Sequence, residues 1–223
     1  MELSEGSPLS TTLEDFAVLQ ADVRACVRCD LSATRISAVP GEGPLDAEVL
    51  LVGEAPGRHE DVSGRPFVGA SGRFLDELLA SIDLTREQVF ITSVVKCRPP
   101  SNRDPAPGEL AACAPYLERQ LGLLDPLVIV TLGRFAMARW FPGQAIMRIH
   151  GQPRREGTRY IFPMIHPAAA LHRREHEAVL REDILKLPAL MEEIRRERVV
   201  PSPELAEEPA SPTADDAQQL SLF

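Results

Sequence analysis

Four stretches of the chain are short apolar runs bounded by turn residues: AEVLLVGE (47–54), QVFITSVV (88–95), PLVIVTLG (126–133) and YIFPMIHP (160–167). Runs of this length, rich in Val, Ile and Leu, predict strands buried on both faces. Between them the periodicity becomes helical. In SGRFLDELLASID (71–83), Phe74, Leu75, Leu78, Leu79 and Ile82 recur on one helical face. A second helix is predicted between Pro107 and Gly122, and a terminal one from Glu175 to Arg196. Ahead of the first strand, Leu13, Phe16, Leu19 and Val23 share a helical face that Thr11 or Thr12 is placed to cap. Strands alternating with helices predict a three-layer αβα sandwich around a central four-stranded, mostly parallel sheet. Ligands of such sheets bind outside the carboxyl ends of the strands. Here those ends are Gly53 to Gly57, Lys96 to Pro100 and His166 to Pro167.

The pattern fades at the end of the chain. VVPSPELAEEPASPTADDAQQ (199–219) is poor in apolar residues and rich in Pro and acid, the composition of a segment that forms no packed core. The expected organisation is therefore one domain over 1–197 and a disordered acidic tail over 198–223. A run of about eighteen apolar residues, the length needed to cross a bilayer, does not occur, and the first residues, MELSEGSPLS, have neither a basic start nor an apolar core. The expectation is a cytoplasmic protein with no membrane partner.

The net charge of -9 argues at first against a nucleic-acid partner, but its distribution changes that picture. Residues 1–20 hold four acids and no base, and residues 197–223 hold six acids against Arg198, so the remainder is neutral. Within it, Gly133 to Arg174 contains eight arginines against the single acid Glu156. Arg-rich segments suit phosphate, because the planar guanidinium matches its oxygens, although a solvated basic face has the same composition.

Three constellations carry candidate chemistry. Cys26, Cys29, Cys97 and Cys113 are all the cysteines of the chain, the first two as a CxxC. Without a secretory signal, metal or cluster ligation is the better reading than disulfides, and four thiolates suit zinc or an iron-sulfur cluster alike. GEAPGRHEDVSGRPFVGASG (53–72) follows the first strand. Its Gly53, Gly57 and Pro56 let backbone approach a ligand, while Glu54, Glu60 and Asp61 bring carboxylates. Phe67, between Pro66 and Val68, is a core residue or a stacking platform for a base. In FPMIHPAAALH (162–172), Pro167 fixes the chain just after His166 at a strand end.

Together these motifs resemble the family 4 uracil-DNA glycosylases, the iron-sulfur branch of the uracil-DNA glycosylase superfamily. The residues that carry the resemblance are Cys26 and Cys29, GEAPGRHED, GRPFVGASG, VVKCRPPSNRDP, Cys113 and HPAAAL, spread over nearly the whole of 13–196. The resemblance implies a [4Fe-4S] cluster on the four cysteines and excision of uracil from single- and double-stranded DNA. It also implies Glu54 near the sugar and the attacking water, Phe67 stacked on a flipped base, and the Ala55 backbone in the base pocket. Breaking the glycosidic bond builds positive charge on the sugar and negative charge on the uracil. Glu54 and Glu60 can meet the first, and His166 the second.

One position departs from the resemblance. Some family members carry an Asn where this chain has Ser93, and one hydroxyl replaces an amide that both donates and accepts. A related branch traps uracil-DNA covalently through a His on an extra Arg-rich loop, but here PPSNRDPAPGE runs into the next helix without a His. That branch, or a DNA-binding module without turnover, is the alternative reading. The last five residues, Gln219, Leu220, Ser221, Leu222 and Phe223, resemble the peptide by which bacterial repair proteins dock on the sliding clamp. The expected assembly is otherwise a monomer.

Overall fold

In the computed structural model, which describes residues 8–199 and side chains from 12 to 198, the chain opens with helices α1 (Pro8–Ala25) and α2 (Leu31–Thr34). There follow β1 (Val49–Gly53), α3 (Arg58–Ser63), α4 (Ala70–Ala80), β2 (Phe90–Ser93), α5 (Pro107–Leu124) and β3 (Val128–Leu132). The remainder is α6 (Arg134–Ala138), α7 (Ile146–Ile149), β4 (Arg154–Glu156), β5 (Arg159–Met164), α8 (Arg174–Ile184) and α9 (Leu187–Val199). The expected tail beyond residue 199, with its terminal Gln219 to Phe223, lies outside the described residues. Among the described residues no helix is long and apolar enough to cross a membrane.

The sheet order is β2-β1-β3-β5-β4. The four expected strands pair in parallel, and β4 adds to β5 antiparallel. The sheet therefore has five strands rather than four. The sequence pattern missed β4 because its three residues, Arg154, Arg155 and Glu156, are all exposed and carry no apolar signal. Helix α1 begins at Pro8, so Thr11 and Thr12 lie inside it rather than capping it. The single terminal helix is two. Pro188, which has no N–H to donate, falls in the first turn of α9, where that loss is tolerated.

Side-chain alternation along the strands builds two cores. Leu50, Val52, Phe90, Ile129 and Ile161 pack against α1 and α5 through Phe16, Leu19, Val23, Tyr116, Leu117 and Leu121. Val49, Leu51, Ile91, Val128, Val130 and Phe162 face the other way, onto Phe74, Leu75, Leu78, Leu79 of α4 and Leu180, Ile184, Leu190, Ile194 of α8 and α9. The result is the expected αβα sandwich. The chain steps outward from β1 to β2, then returns to place β3 on the opposite side of β1. That reversal opens a crevice between the carboxyl ends of β1 and β3, the position where open α/β sheets hold ligands.

Candidate active site

The crevice is a cleft of about 360 Å³ lined by Glu54, Ala55, Pro56, Gly57, Glu60, Phe67, Ser93 and His166, with Asn102, Arg103 and Asp104 on the far wall. The strand ends deliver these groups. Ser93 closes β2, Glu54 follows β1, and His166 stands two residues beyond β5. Gly53 lies beneath the floor, where any side chain would run into the Phe67 ring and the Ser93 hydroxyl.

Glu54 sits against the turn after β3. Gly133 there has φ +96, a conformation side chains rarely adopt, and a Cβ on it would overlap the Glu54 carboxylate and crowd His166. The close approach lets the Phe135 N–H donate to Glu54 Oε1 at 3.2 Å. Burial raises the Glu54 pKa above the ordinary 4.5, and the Phe135 N–H and the Arg134 charge pull it only partly back.

His166 accepts a hydrogen bond on Nδ1 from the Ala168 backbone at 3.1 Å. Burial lowers its pKa to about 4, against the opposing charge of Glu60. The ring is thus neutral at pH 7, and since Nδ1 accepts, its proton is on Nε2. Phe67 stacks on this ring, with centroids 5.6 Å apart and planes 24° from parallel.

Glu60 is occupied differently from Glu54. One oxygen accepts from the Val68 and Gly69 amides, both at 2.9 Å, and the other from the Gly57 amide at 3.1 Å. Its carboxylate therefore ties both ends of the loop that carries Phe67. Asp61 faces away from the cleft and accepts from the Ile36 and Ser37 amides. Sequence reasoning did not find the far wall. Its residues fall within the quoted motif VVKCRPPSNRDP but are assigned no role there, and Arg103 holds the wall by a paired contact to Glu109 at 2.9 and 2.6 Å.

The four cysteines lie apart from the cleft and together line one small pocket. Arg35 Nη1 donates to Cys97 Sγ at 3.0 Å, and the Lys96 amide to Cys113 Sγ at 3.2 Å. Among the described residues no three His, Cys, Asp or Glu side chains are grouped as ligands of a single metal ion. The Lys96 amine is buried, and donates to Thr92 Oγ1, the Ser93 carbonyl and Gln120 Oε1. Half of the arginines in the basic segment pair with acids from elsewhere in the chain. Arg134, Arg139, Arg155 and Arg159 pair with Asp104, Glu118, Glu197 and Asp125.

Fold and cleft together define an α/β protein with a polar cleft at the switch point of a parallel sheet. Comparison with known proteins narrows the class. A family model described as the uracil DNA glycosylase superfamily matches residues 40–194. The type-4 uracil-DNA glycosylase of Archaeoglobus fulgidus is 44% identical over 187 residues, covering 80% of this chain and 94% of that protein. Those of Sulfurisphaera tokodaii and Saccharolobus solfataricus are 43% and 42% identical, covering 80% and 78% of this chain and 86% of each relative. The chain belongs to the uracil DNA glycosylase superfamily, and within it to the type-4 uracil-DNA glycosylases.

Proposed function

We propose that the chain is a monofunctional uracil-DNA glycosylase that hydrolyses the N-glycosidic bond of deoxyuridine in single- and double-stranded DNA, releasing uracil and leaving an abasic site. The observation that carries this reading is the meeting of a half-buried carboxylate and a neutral imidazole, Glu54 and His166, in one cleft with a stacking ring. The activity for which its relatives are named agrees with it.

The base must leave the duplex to enter the cleft. There Phe67 stacks on one face of the ring, and the Ser93 hydroxyl and Ala55 backbone meet its edge. As the C1′–N bond breaks, electrons collect on the uracil and the sugar becomes cationic. The Nε2–H of His166 donates to the uracil oxygen that gathers this charge, and a neutral donor suffices because the bound base displaces water and strengthens the contact. The Glu54 carboxylate faces the sugar, stabilises its charge and takes a proton from the water that adds to C1′. Glu60, with three amides bound, positions the loop instead of reacting. Lys96, locked under the sheet, offers the cleft no amine, which supports hydrolysis over a Schiff-base route.

We also propose that Cys26, Cys29, Cys97 and Cys113 hold a [4Fe-4S] cluster. Four thiols around one cavity, with N–H donors already aimed at two of the sulfurs, fit the donor set such a cluster takes. When bound, it would tie the end of α1 to the loop before the cleft's far wall and to α5. The chain would act as a cytoplasmic monomer, with a catalytic domain over 1–197 and a tail over 198–223 that docks on the bacterial sliding clamp through Gln219 to Phe223.

The test is a labelled oligonucleotide carrying uracil opposite guanine, treated with alkali after incubation. An alkali-labile abasic product is expected. A covalent enzyme–DNA adduct, with or without borohydride, or binding without product, would overturn the reading.

A further inference from the structure

Arg86 stands outside the cleft, in the turn between α4 and β2, yet it grips the loop that presents Phe67. Its side chain is 15% exposed. Nη2 donates to the Pro66 carbonyl at 2.7 Å, and Nη1 to the Phe67 carbonyl at 2.9 Å. These two carbonyls belong to the peptide planes on either side of the Phe67 Cα. Fixing both planes fixes φ and ψ of Phe67, and with them the direction in which its ring leaves the backbone. Phe67 has φ +50, a left-handed conformation that bulky residues rarely adopt and that surrounding contacts must impose.

The guanidinium is anchored in turn. Nη2 pairs with Glu42 at 3.0 Å and Nη1 with Asp76 of α4 at 3.1 Å. Glu42 exchanges backbone hydrogen bonds with Ile91 of β2, at 3.0 and 2.8 Å, and its second carboxylate oxygen accepts from Arg65. Arg86 therefore references the Phe67 backbone to the edge of the sheet and to α4. Its Nε is buried and meets no hydrogen-bond partner among the described residues.

We propose that Arg86 is the positioning residue for Phe67, setting the near-parallel alignment of that ring with His166 that a planar base requires. The inference rests on the glycosylase reading and names a residue through which the cleft is shaped. Arg is required because a planar fork reaches two neighbouring carbonyls at once, whereas a lysine ammonium cannot hold both in a fixed plane.

The test is single-turnover excision by wild type, Arg86→Met, Arg86→Lys, Phe67→Ala and the double variant Phe67→Ala/Arg86→Met, each checked for folding by circular dichroism. Arg86→Met should lower the rate at saturating enzyme by between about ten- and a hundredfold, the effect of misplacing a group near the reacting centre. The enzyme concentration giving half the maximal rate should move less than about threefold, since no DNA contact is removed. Arg86→Lys should recover part of the loss. In the Phe67→Ala background, Arg86→Met should change the rate by less than about twofold, because no ring remains to be positioned. An equal loss from Arg86→Met in both backgrounds, or loss of affinity and rate together, overturns the proposal. If Arg86→Met does not fold, Arg86→Lys in both backgrounds decides the matter by the same comparison. A wild type that excises no uracil would overturn the glycosylase reading and this inference with it. Wild-type excision without coupling between the two residues would overturn the inference alone.

Discussion

His166 Nδ1 accepts the backbone proton of Ala168 at 3.1 Å, so the single proton of its neutral ring resides on Nε2. With a pKa of about 4, caused by burial and opposed by Glu60, the ring remains a neutral donor through the neutral range. His166→Ala should slow single-turnover excision by about 10²- to 10³-fold, the scale of one lost transition-state donor, with DNA binding nearly unchanged. Stability gives an independent check. The folded protein takes up this proton near pH 4 and the unfolded chain near 6.5, so acid favours unfolding across that window. The variant should therefore lose less Tm than wild type between pH 6.5 and 4.

Glu54 must be ionised to act, and burial raises its pKa above the ordinary 4.5. Excision should therefore fall on the acid side with an apparent pKa above 4.5, and Glu54→Gln should be slow at every pH without that limb. Stability moves the other way. A carboxyl whose folded pKa is raised favours the folded state when protonated, and that contribution is lost as pH rises through the folded value. Gln keeps an oxygen for the Phe135 N–H but carries no charge, so Glu54→Gln should melt higher than wild type at pH 7. A variant that melts lower and keeps wild-type rate would assign Glu54 to structure.

The sequence made these two groups legible because each ends a strand, and strand ends are marked by apolar runs that stop at Gly or Pro. It also named Glu60, but residue type alone does not separate a carboxylate facing a ligand from one filled by the Val68, Gly69 and Gly57 amides. Arg86 left no signal at all. A single charged residue in a polar turn reads as solvated, and its carbonyl partners lie 19 and 20 residues away. The same limit applies to the basic segment, four of whose arginines meet acids from α5, from α9 and from loops that only the fold brings near. Strand β4 escaped for the opposite reason, having no buried face to print a pattern.

The four cysteines should bring iron. Protein purified without oxygen should be brown and hold close to four iron atoms per chain, as the proposed [4Fe-4S] cluster requires. Stoichiometric zinc with negligible iron would refute the cluster. Because these ligands join α1, the loop after β2 and α5, Cys97→Ala should lower Tm markedly, and at temperatures where it stays folded its excision rate should fall less than that of His166→Ala.

Ser93 lines the cleft at the end of β2, and its hydroxyl would lie 3.2 Å from a Cβ on Gly53. Its carbonyl is held by Lys96, so the backbone there is fixed whatever the side chain. Ser93→Asn should be folded and active. Its amide can offer a base both a donor and an acceptor, and the ratio of uracil excision to excision of other deaminated bases should rise. A folded but inactive Ser93→Asn protein would mean that the base edge is read elsewhere in the cleft.

Gln219 to Phe223 pose a separate question, because an apolar cluster at the end of a polar, Pro-rich segment needs a partner. The catalytic chemistry argued above is complete without it, so its role is expected to be delivery. About twenty residues separate it from α9, enough chain to reach across tens of ångströms. A tether raises the local concentration of the enzyme at DNA without a new contact in the cleft, so a modest affinity for the clamp suffices. Deleting residues 219–223 should abolish clamp binding and leave excision on short oligonucleotides unchanged, and Leu222→Ala with Phe223→Ala should do the same. On clamp-loaded DNA the truncated enzyme should excise more slowly than the full chain. Calorimetry that finds equal heats for intact and truncated protein titrated with the clamp would refute the tether. Loss of folding or of intrinsic rate on truncation would place those side chains in the catalytic domain instead.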